Sequence, residues 1–324
     1  MPDKPLLTVQ NLSISLGMPG SRITPVDGVT FTLEPGQALG LVGESGSGKS
    51  LTLRAIIGLL PQNSQIKGEL AFKGNAYQPQ MLRGHGIGMI FQEPMLALNP
   101  TMRVGHFIAE AVRIREKLNK KQMEARVIKL MQSVGIPNPQ ARLRAWPHEL
   151  SGGLRQRIMI AAALATNPDL LLCDEPTTAL DVCVQDQILG MLNQLAAQRR
   201  MSMIFVSHDL AVVSMLCQKI AVMYAGQVIE IGSTSSLLQT PRHPYSAALL
   251  AYVPSAASSA DERLQGIEGR PPDPSQFPTG CRFAQRCAHV QPDCKTTPPE
   301  LRQIAPDHWS RCIYSDSFTQ LQGV

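Results

Sequence analysis

Gly43 to Ser50 reads GESGSGKS, directly after the apolar run ALGLV and at the start of a stretch with helical periodicity. A glycine-rich turn between a buried strand and a helix lets backbone N–H groups converge on phosphate oxygens, with the positive end of the helix dipole behind them. In that frame Lys49 neutralises the β- and γ-phosphates, and the Ser50 hydroxyl can ligate Mg2+. The candidate phosphate site is therefore Gly43, Glu44, Ser45, Gly46, Ser47, Gly48, Lys49, Ser50 and Leu51. Asp174 and Glu175 end a second apolar run, LLLCDE. Two adjacent carboxylates at the tip of a buried strand are costly unless they serve a cation or a proton transfer. Asp174 suits the Mg2+ shell, and Glu175 suits the orientation and deprotonation of an attacking water.

The elements that must hold these groups are legible as periodicity. Leu7, Val9, Leu12, Ile14 and Leu16 nearly alternate, GMPGS reads as a turn, and Val26 to Leu33 alternates again, which predicts antiparallel strands. ALGLV, DLLLC and MSMIFVS are almost continuously apolar, as strands buried on both faces are. A helix is expected from Lys49 to Leu60, stopping at Pro61, and another from an N-cap at Ser151 to Thr166. Between them, 102–135 is helical in pattern and carries eight Lys or Arg against three Glu from Arg103 to Lys129. That stretch reads as a solvated face, with a face near phospholipid headgroups as the alternative. Apolar strand, polar tip, then helix is the doubly wound α/β arrangement, which binds ligands at the carboxyl edge of its sheet.

Further motifs stand in order along the chain. LSGGLRQR from Leu150 to Arg157 closely resembles the LSGGQ-type signature of ABC ATPases. Gln92 in MIFQEP resembles their Q-loop, Ala179-Leu180-Asp181 their D-loop and His208 in VSHDL their switch histidine. Longer segments, FQEPMLALNP, DEPTTALDV, AVMYAGQVIEIG and HPYSAALLA among them, resemble the ATPase subunits of bacterial dipeptide and oligopeptide importers, a group that includes nickel and metal-opine importers.

The resemblance implies a RecA-like P-loop NTPase core with an N-terminal antiparallel β-subdomain and an α-helical subdomain at about 94–163. It implies an ABC domain over 1–253 and a small Cys-rich C-terminal domain over 254–324, with the boundary near Val253. Catalytic roles fall on Lys49, Gln92, Glu175 and His208, Mg2+ on Ser50, Gln92 and Asp174, and contacts to ATP across a dimer on Ser151, Gly152, Gly153 and Asp181. The implied partners are a second, related ATPase subunit, two transmembrane permease subunits and an extracytoplasmic binding protein. The implied place is the cytoplasmic face of the bacterial inner membrane, bound peripherally. Departing from the family, no Phe, Tyr or Trp precedes Phe31 to stack on adenine, so Leu16, Arg22 or Ile23 is expected to cover the base. Leu154 stands where the subfamily often has Met.

Composition agrees with this class. The 324 residues carry 30 Lys plus Arg against 25 Asp plus Glu, a net charge of +5, with 44% apolar and 5% aromatic residues. So low an aromatic content and so small a charge argue against nucleic acid as a partner. No run approaches the roughly 18 apolar residues of a bilayer span, and MPDKPLLTVQ lacks a secretory core, so export and membrane spanning are not expected. Cys173, Cys183 and Cys217 read as small buried hydrophobes. Cys281, Cys287, Cys294 and Cys312 are spaced C-x5-C-x6-C-x17-C in a proline-rich end. Disulfides are disfavoured without a secretion signal, zinc sites usually offer CxxC-like knuckles, and a 4Fe-4S cluster accepts irregular spacing. Some members of the resembling subfamily bind such a cluster at these cysteines; zinc and unliganded thiols stay open. His289 and His308 read as ordinary surface residues.

Overall fold

The structure, a computed structural model, describes residues 4–18, 20–178, 180–251 and 267–321. The expected boundary near Val253, and Ala179 of the D-loop motif, lie outside the described residues. The chain forms two compact units, one from 1–76 together with 206–324 and one from 77–205.

In chain order the first unit starts with β1 (Leu7–Leu16), β2 (Ile23–Leu33), β3 (Ala38–Val42), α1 (Lys49–Ile57), β4 (Gln65–Phe72) and β5 (Asn75–Ala76). The second unit holds β6 (Ile87–Ile90), α2 (Pro94–Ala97), α3 (Val104–Arg113), α4 (Lys120–Ser133), α5 (Pro139–Arg142), α6 (Gly152–Leu164), β7 (Leu170–Asp174) and α7 (Val182–Arg199). It ends within β8 (Ser202–Ser207). The first unit resumes with α8 (Leu210–Leu216), β9 (Lys219–Tyr224), β10 (Gln227–Ser233), α9 (Thr234–Gln239), α10 (Pro244–Ala251), α11 (Pro292–Thr296), β11 (Arg302–Ala305), β12 (His308–Ser310) and α12 (Ser315–Leu321).

Two sheets build the first unit. One is antiparallel in the order β2-β1-β4-β5, with Leu7, Val9, Leu12 and Ile14 of β1 fully buried. The other runs β11-β12-β10-β9-β3, and only β3 and β9 pair in parallel. β12 adds to β10 with Ile231 opposite Trp309, and β11 pairs with β12, so these two late strands extend this sheet. Every residue of β3 is buried, as its apolar run predicts.

In the second unit β6 and β7 pair in parallel, and both are buried throughout. α3 and α4 pack on α6 through Ile108, Val112, Val127, Leu130, Met131 and Ile158. The helical pattern expected over 102–135 is broken in the middle. Asn119 and Gln122 close a capping box that starts α4 afresh, with the side chain of each accepting from the backbone N–H of the other. α1 likewise ends before Pro61, at Gly58 in the left-handed region, whose N–H returns to Ala55.

Candidate functional site

The phosphate loop leaves β3 through Gly43, at φ 150, where an added Cβ would lie 2.1 Å from the carbonyl oxygen of Met223. Only glycine fits so close an approach of two backbones. Gly48, at φ 101, starts α1 with no side-chain cap and no acid in the first turn, so the helix end keeps its positive field for an anion. Lys49 is buried, and its ammonium donates to the carbonyls of Gly43 at 2.7 Å and Glu44 at 2.9 Å. Ser47 is buried beside it, Ser50 is half-buried, and Ser45 and Gly46 are exposed. The loop therefore presents a cation anchored over a turn rich in donors.

Glu44 is held from both ends. Its backbone N–H donates to Tyr245 Oη at 2.9 Å, and its carboxylate accepts from Arg286 Nη1 at 2.8 Å and Nη2 at 3.1 Å. Burial alone would lower the affinity of Arg286 for its proton, but the Glu44 carboxylate and the Tyr224 hydroxyl reverse this and raise its pKa. Neither Tyr245 nor Arg286 was singled out from sequence as a functional residue. The only signals were the HPY wording and the position of Arg286 next to Cys287.

Leu16 and Ile23 pair across β1 and β2 and are half-buried, while Arg22 is exposed and donates to Gln65 Oε1 at 2.6 Å.

In the second unit, Asp174 is buried at the tip of β7, and Glu175 follows with φ 45, a left-handed conformation unusual for a carboxylate residue. Its Oε2 accepts from Gln92 Nε2 at 3.1 Å and from Thr178 Oγ1 at 3.0 Å. The two loops that carry Gln92 and Glu175 thus meet at one carboxylate oxygen. Asp181 caps α7 by accepting from the Val184 N–H at 3.0 Å. Ser151 is the N-cap residue of α6, but its hydroxyl makes no capping hydrogen bond, and Gly152 beside it is exposed. A Cβ on Gly153 would come within 2.7 Å of Val184 Cγ1, so a larger residue there would have to displace the Val184 side chain. In the first unit His208 is exposed just past β8, and Asp209 caps α8.

Cys281, Cys287, Cys294 and Cys312 line one cavity of about 150 Å3, with Phe283, Tyr314 and Phe318 among its other walls. All four are free thiols, and burial raises Cys281, pushes Cys287 up to about 11 and Cys312 up to about 12. Among the described residues no three His, Cys, Asp or Glu are placed to hold a single metal ion. Cys173 and Cys217 are buried as expected, but Cys183 is exposed in the first turn of α7.

His308 departs from its expected surface role. It is buried on β12, with Nε2 2.7 Å from Glu230 Oε1 and Nδ1 2.7 Å from Ser236 Oγ. His243 is also buried; desolvation, then the Arg311 charge, lower its pKa to about 3, and its Nδ1 accepts from the Tyr245 N–H at 3.1 Å.

No described helix is long and apolar enough to cross a membrane. The ABC transporter family matches residues 26–178, and the family of the oligopeptide/dipeptide transporter C-terminal region matches residues 229–294. The chain is 44% identical over 312 residues to the oligopeptide transport ATP-binding protein OppD of Bacillus subtilis (strain 168), covering 94% of this chain and 87% of that protein. It is 41% identical over 314 residues to the protein of the same name from Escherichia coli (strain K12), covering 95% and 93%. A solved dimeric ATP-binding cassette, in a post-hydrolysis state bound to ADP and Pi, matches with a TM-score of 0.63 at 25% identity, over 70% of this chain and 98% of that one. The chain thus belongs to the ATP-binding proteins of ABC transporters, and is an ATPase of their oligopeptide/dipeptide branch.

Proposed function

We propose that this ATPase energises the import of peptides across the bacterial inner membrane, bound at the cytoplasmic face to two permease subunits that receive substrate from an extracytoplasmic binding protein. The names of its relatives support the substrate class. The observation that carries the chemistry is Glu175, held in a left-handed turn by Gln92 and Thr178 immediately after the buried Asp174.

The Gly43–Ser50 loop takes the phosphates, Lys49 offsets their charge, and Glu175 orients and deprotonates the attacking water. Ser50, Gln92 and Asp174 carry the oxygens suited to Mg2+, which supplies charge neutralisation to the triphosphate. His208, exposed past β8, is the switch that senses the γ-phosphate, and Asp181 shapes the loop toward the second ATPase. Ser151, Gly152 and Gly153 bind the γ-phosphate held by that second subunit, a related chain rather than a copy; the uncapped helix end supports this. Leu16 and Ile23 cover the adenine in place of an aromatic ring. The segment from Gln92 to Leu98 relays the state of the site to the permeases.

The four late cysteines fit a 4Fe-4S cluster. They are free, they share one cavity, and its volume exceeds what one ion needs. Cys281, Cys287, Cys294 and Cys312 would hold the cluster, which supplies covalent cross-links to a Cys- and Pro-rich segment with little core of its own.

Nucleotide trapping tests the catalytic reading. Glu175→Gln should bind ATP as tightly as the native chain and hydrolyse it at least about 100-fold more slowly in the assembled transporter. Unchanged turnover would remove Glu175 from the mechanism.

A further inference from the structure

Arg286 lies on a short turn, Ala284–Arg286, immediately before Cys287, yet its side chain ends on the phosphate loop. All five guanidinium N–H donors are engaged. Nε donates to Glu268 O at 2.9 Å; Nη1 donates to Glu44 Oε2 at 2.8 Å and Tyr224 Oη at 3.3 Å; Nη2 donates to Glu44 Oε1 at 3.1 Å and Ile267 O at 2.9 Å. The side chain is only 6% exposed, against 25% for Glu44. A guanidinium fork saturated in this way fixes the carboxylate in place, which a lysine could not do.

The surroundings reinforce the clamp. Phe283 packs edge-on against Tyr224 and Tyr245, the same tyrosine that accepts the Glu44 N–H. Pro271, Pro272, Pro274 and Phe277 share a small cavity with Glu44, Ser45, Gly46 and Ser47. Arg282, just before that turn, bonds Asp27 on β2 and the Ala225 carbonyl between β9 and β10, and so ties the same segment to the sheets beside the loop. The phosphate loop is therefore braced from its outer side by the segment that carries the cysteines.

Glu44 raises an electrostatic problem that this clamp solves. A carboxylate on a loop that surrounds a triphosphate sits within one Debye length, about 8 Å at physiological salt, of several negative charges. Unpaired, it repels the substrate. We infer that Arg286 is a positioning residue for ATP binding: by neutralising and fixing Glu44 it keeps the phosphate loop receptive, so that nucleotide affinity depends on the fold of the cysteine-bearing segment. This rests on the reading of Gly43–Ser50 as the phosphate site.

The test is equilibrium binding of ATP to the full chain at low and high salt, with thermal melting as a fold control. Arg286→Ala should weaken ATP binding about tenfold, the factor that corresponds to about 1.4 kcal/mol. The defect should shrink at high salt and be smaller for ADP. The deciding variant is the double substitution Glu44→Gln with Arg286→Ala, which removes the orphaned charge and should bind ATP several-fold better than Arg286→Ala alone. A double variant as weak as the single would show that Arg286 acts through folding only, and would overturn the inference. So would native affinity in Arg286→Ala while Lys49→Ala abolishes binding. Native affinity in Lys49→Ala would instead refute the phosphate-site reading itself. Should Arg286→Ala fail to fold, Arg286→Lys carries the test: it keeps the charge, loses the fork, and should show a smaller, salt-sensitive loss, whereas a loss that ignores salt would count against the inference.

Discussion

Replacing His308 with alanine should uncouple the C-terminal strand from the sheet that holds the phosphate loop. In the folded chain Glu230 is fully buried, its Oε1 accepts from the Arg242 N–H at 2.7 Å and pairs with His308 Nε2 at 2.7 Å, and its Oε2 has no hydrogen-bond partner among the described residues. The variant removes one member of a buried pair and leaves a carboxylate already short of donors, a change that costs about 3–5 kcal/mol. Loss of the Ser236 hydrogen bond adds about 1 kcal/mol. Against a typical total of about 5–15 kcal/mol this is a large fraction, and with a urea dependence of about 2 kcal/mol/M it moves the midpoint by about 2–3 M. The assay is urea unfolding followed by Trp309, which pairs with Ile231 across the same strands, in a Trp146→Phe background that leaves Trp309 as the only tryptophan. A Glu230→Leu, His308→Leu double variant should lose less than His308→Ala, because it leaves no orphaned charge. A midpoint shift below about 0.5 M, or a double variant less stable than the single, would show that the buried Glu230–His308 pair does not anchor the strand.

Gly43→Ala should abolish ATP binding, since its Cβ would stand 2.1 Å from the Met223 carbonyl at a φ of 150 that L residues rarely adopt; isothermal titration with ATP checks it. Buried His243 has a folded pKa of about 3 against an ordinary 6.5, so the unfolded chain binds the extra proton between those values. Its contribution is whole above pH 6.5 and falls as pH drops, by about 2 kcal/mol between pH 6.5 and 5; His243→Phe should flatten that part of a stability–pH curve. Anaerobically purified chain should be brown and contain four irons, and Cys312→Ser should lower both absorption and iron content, whereas a colourless, zinc-loaded preparation would contradict the cluster.

Much of the first unit was legible because its strands carry one-dimensional signals. ALGLV is apolar throughout and is buried throughout, and the alternation of β1 survives as its buried face. β4 had no such signal: Gln65–Phe72 is exposed over most of its length, and pairing with β1 and β5 makes it a strand. The candidate residues were readable by type and order, but their partners were not. Nothing local in the chain announces that Gln92 reaches Glu175, 83 residues away, or that Arg286 reaches Glu44, 242 residues away. His308 shows the same limit, because a histidine in a polar, proline-rich stretch looks solvated until β12 is paired with β10. Cys183 errs in the other direction, since helical context alone does not say which face of α7 is covered.

Hydrolysis of ATP on this chain is what drives peptide import. The direct measurement is uptake of a labelled peptide into vesicles containing the assembled transporter and its binding protein, with ATP on the side of this subunit, comparing the native chain with Glu175→Gln. Peptide uptake should track ATP consumption for the native chain, with no uptake above background for the variant, which still binds ATP. Undiminished uptake by Glu175→Gln, or steady ATP hydrolysis by the native assembly with no peptide entering, would contradict it.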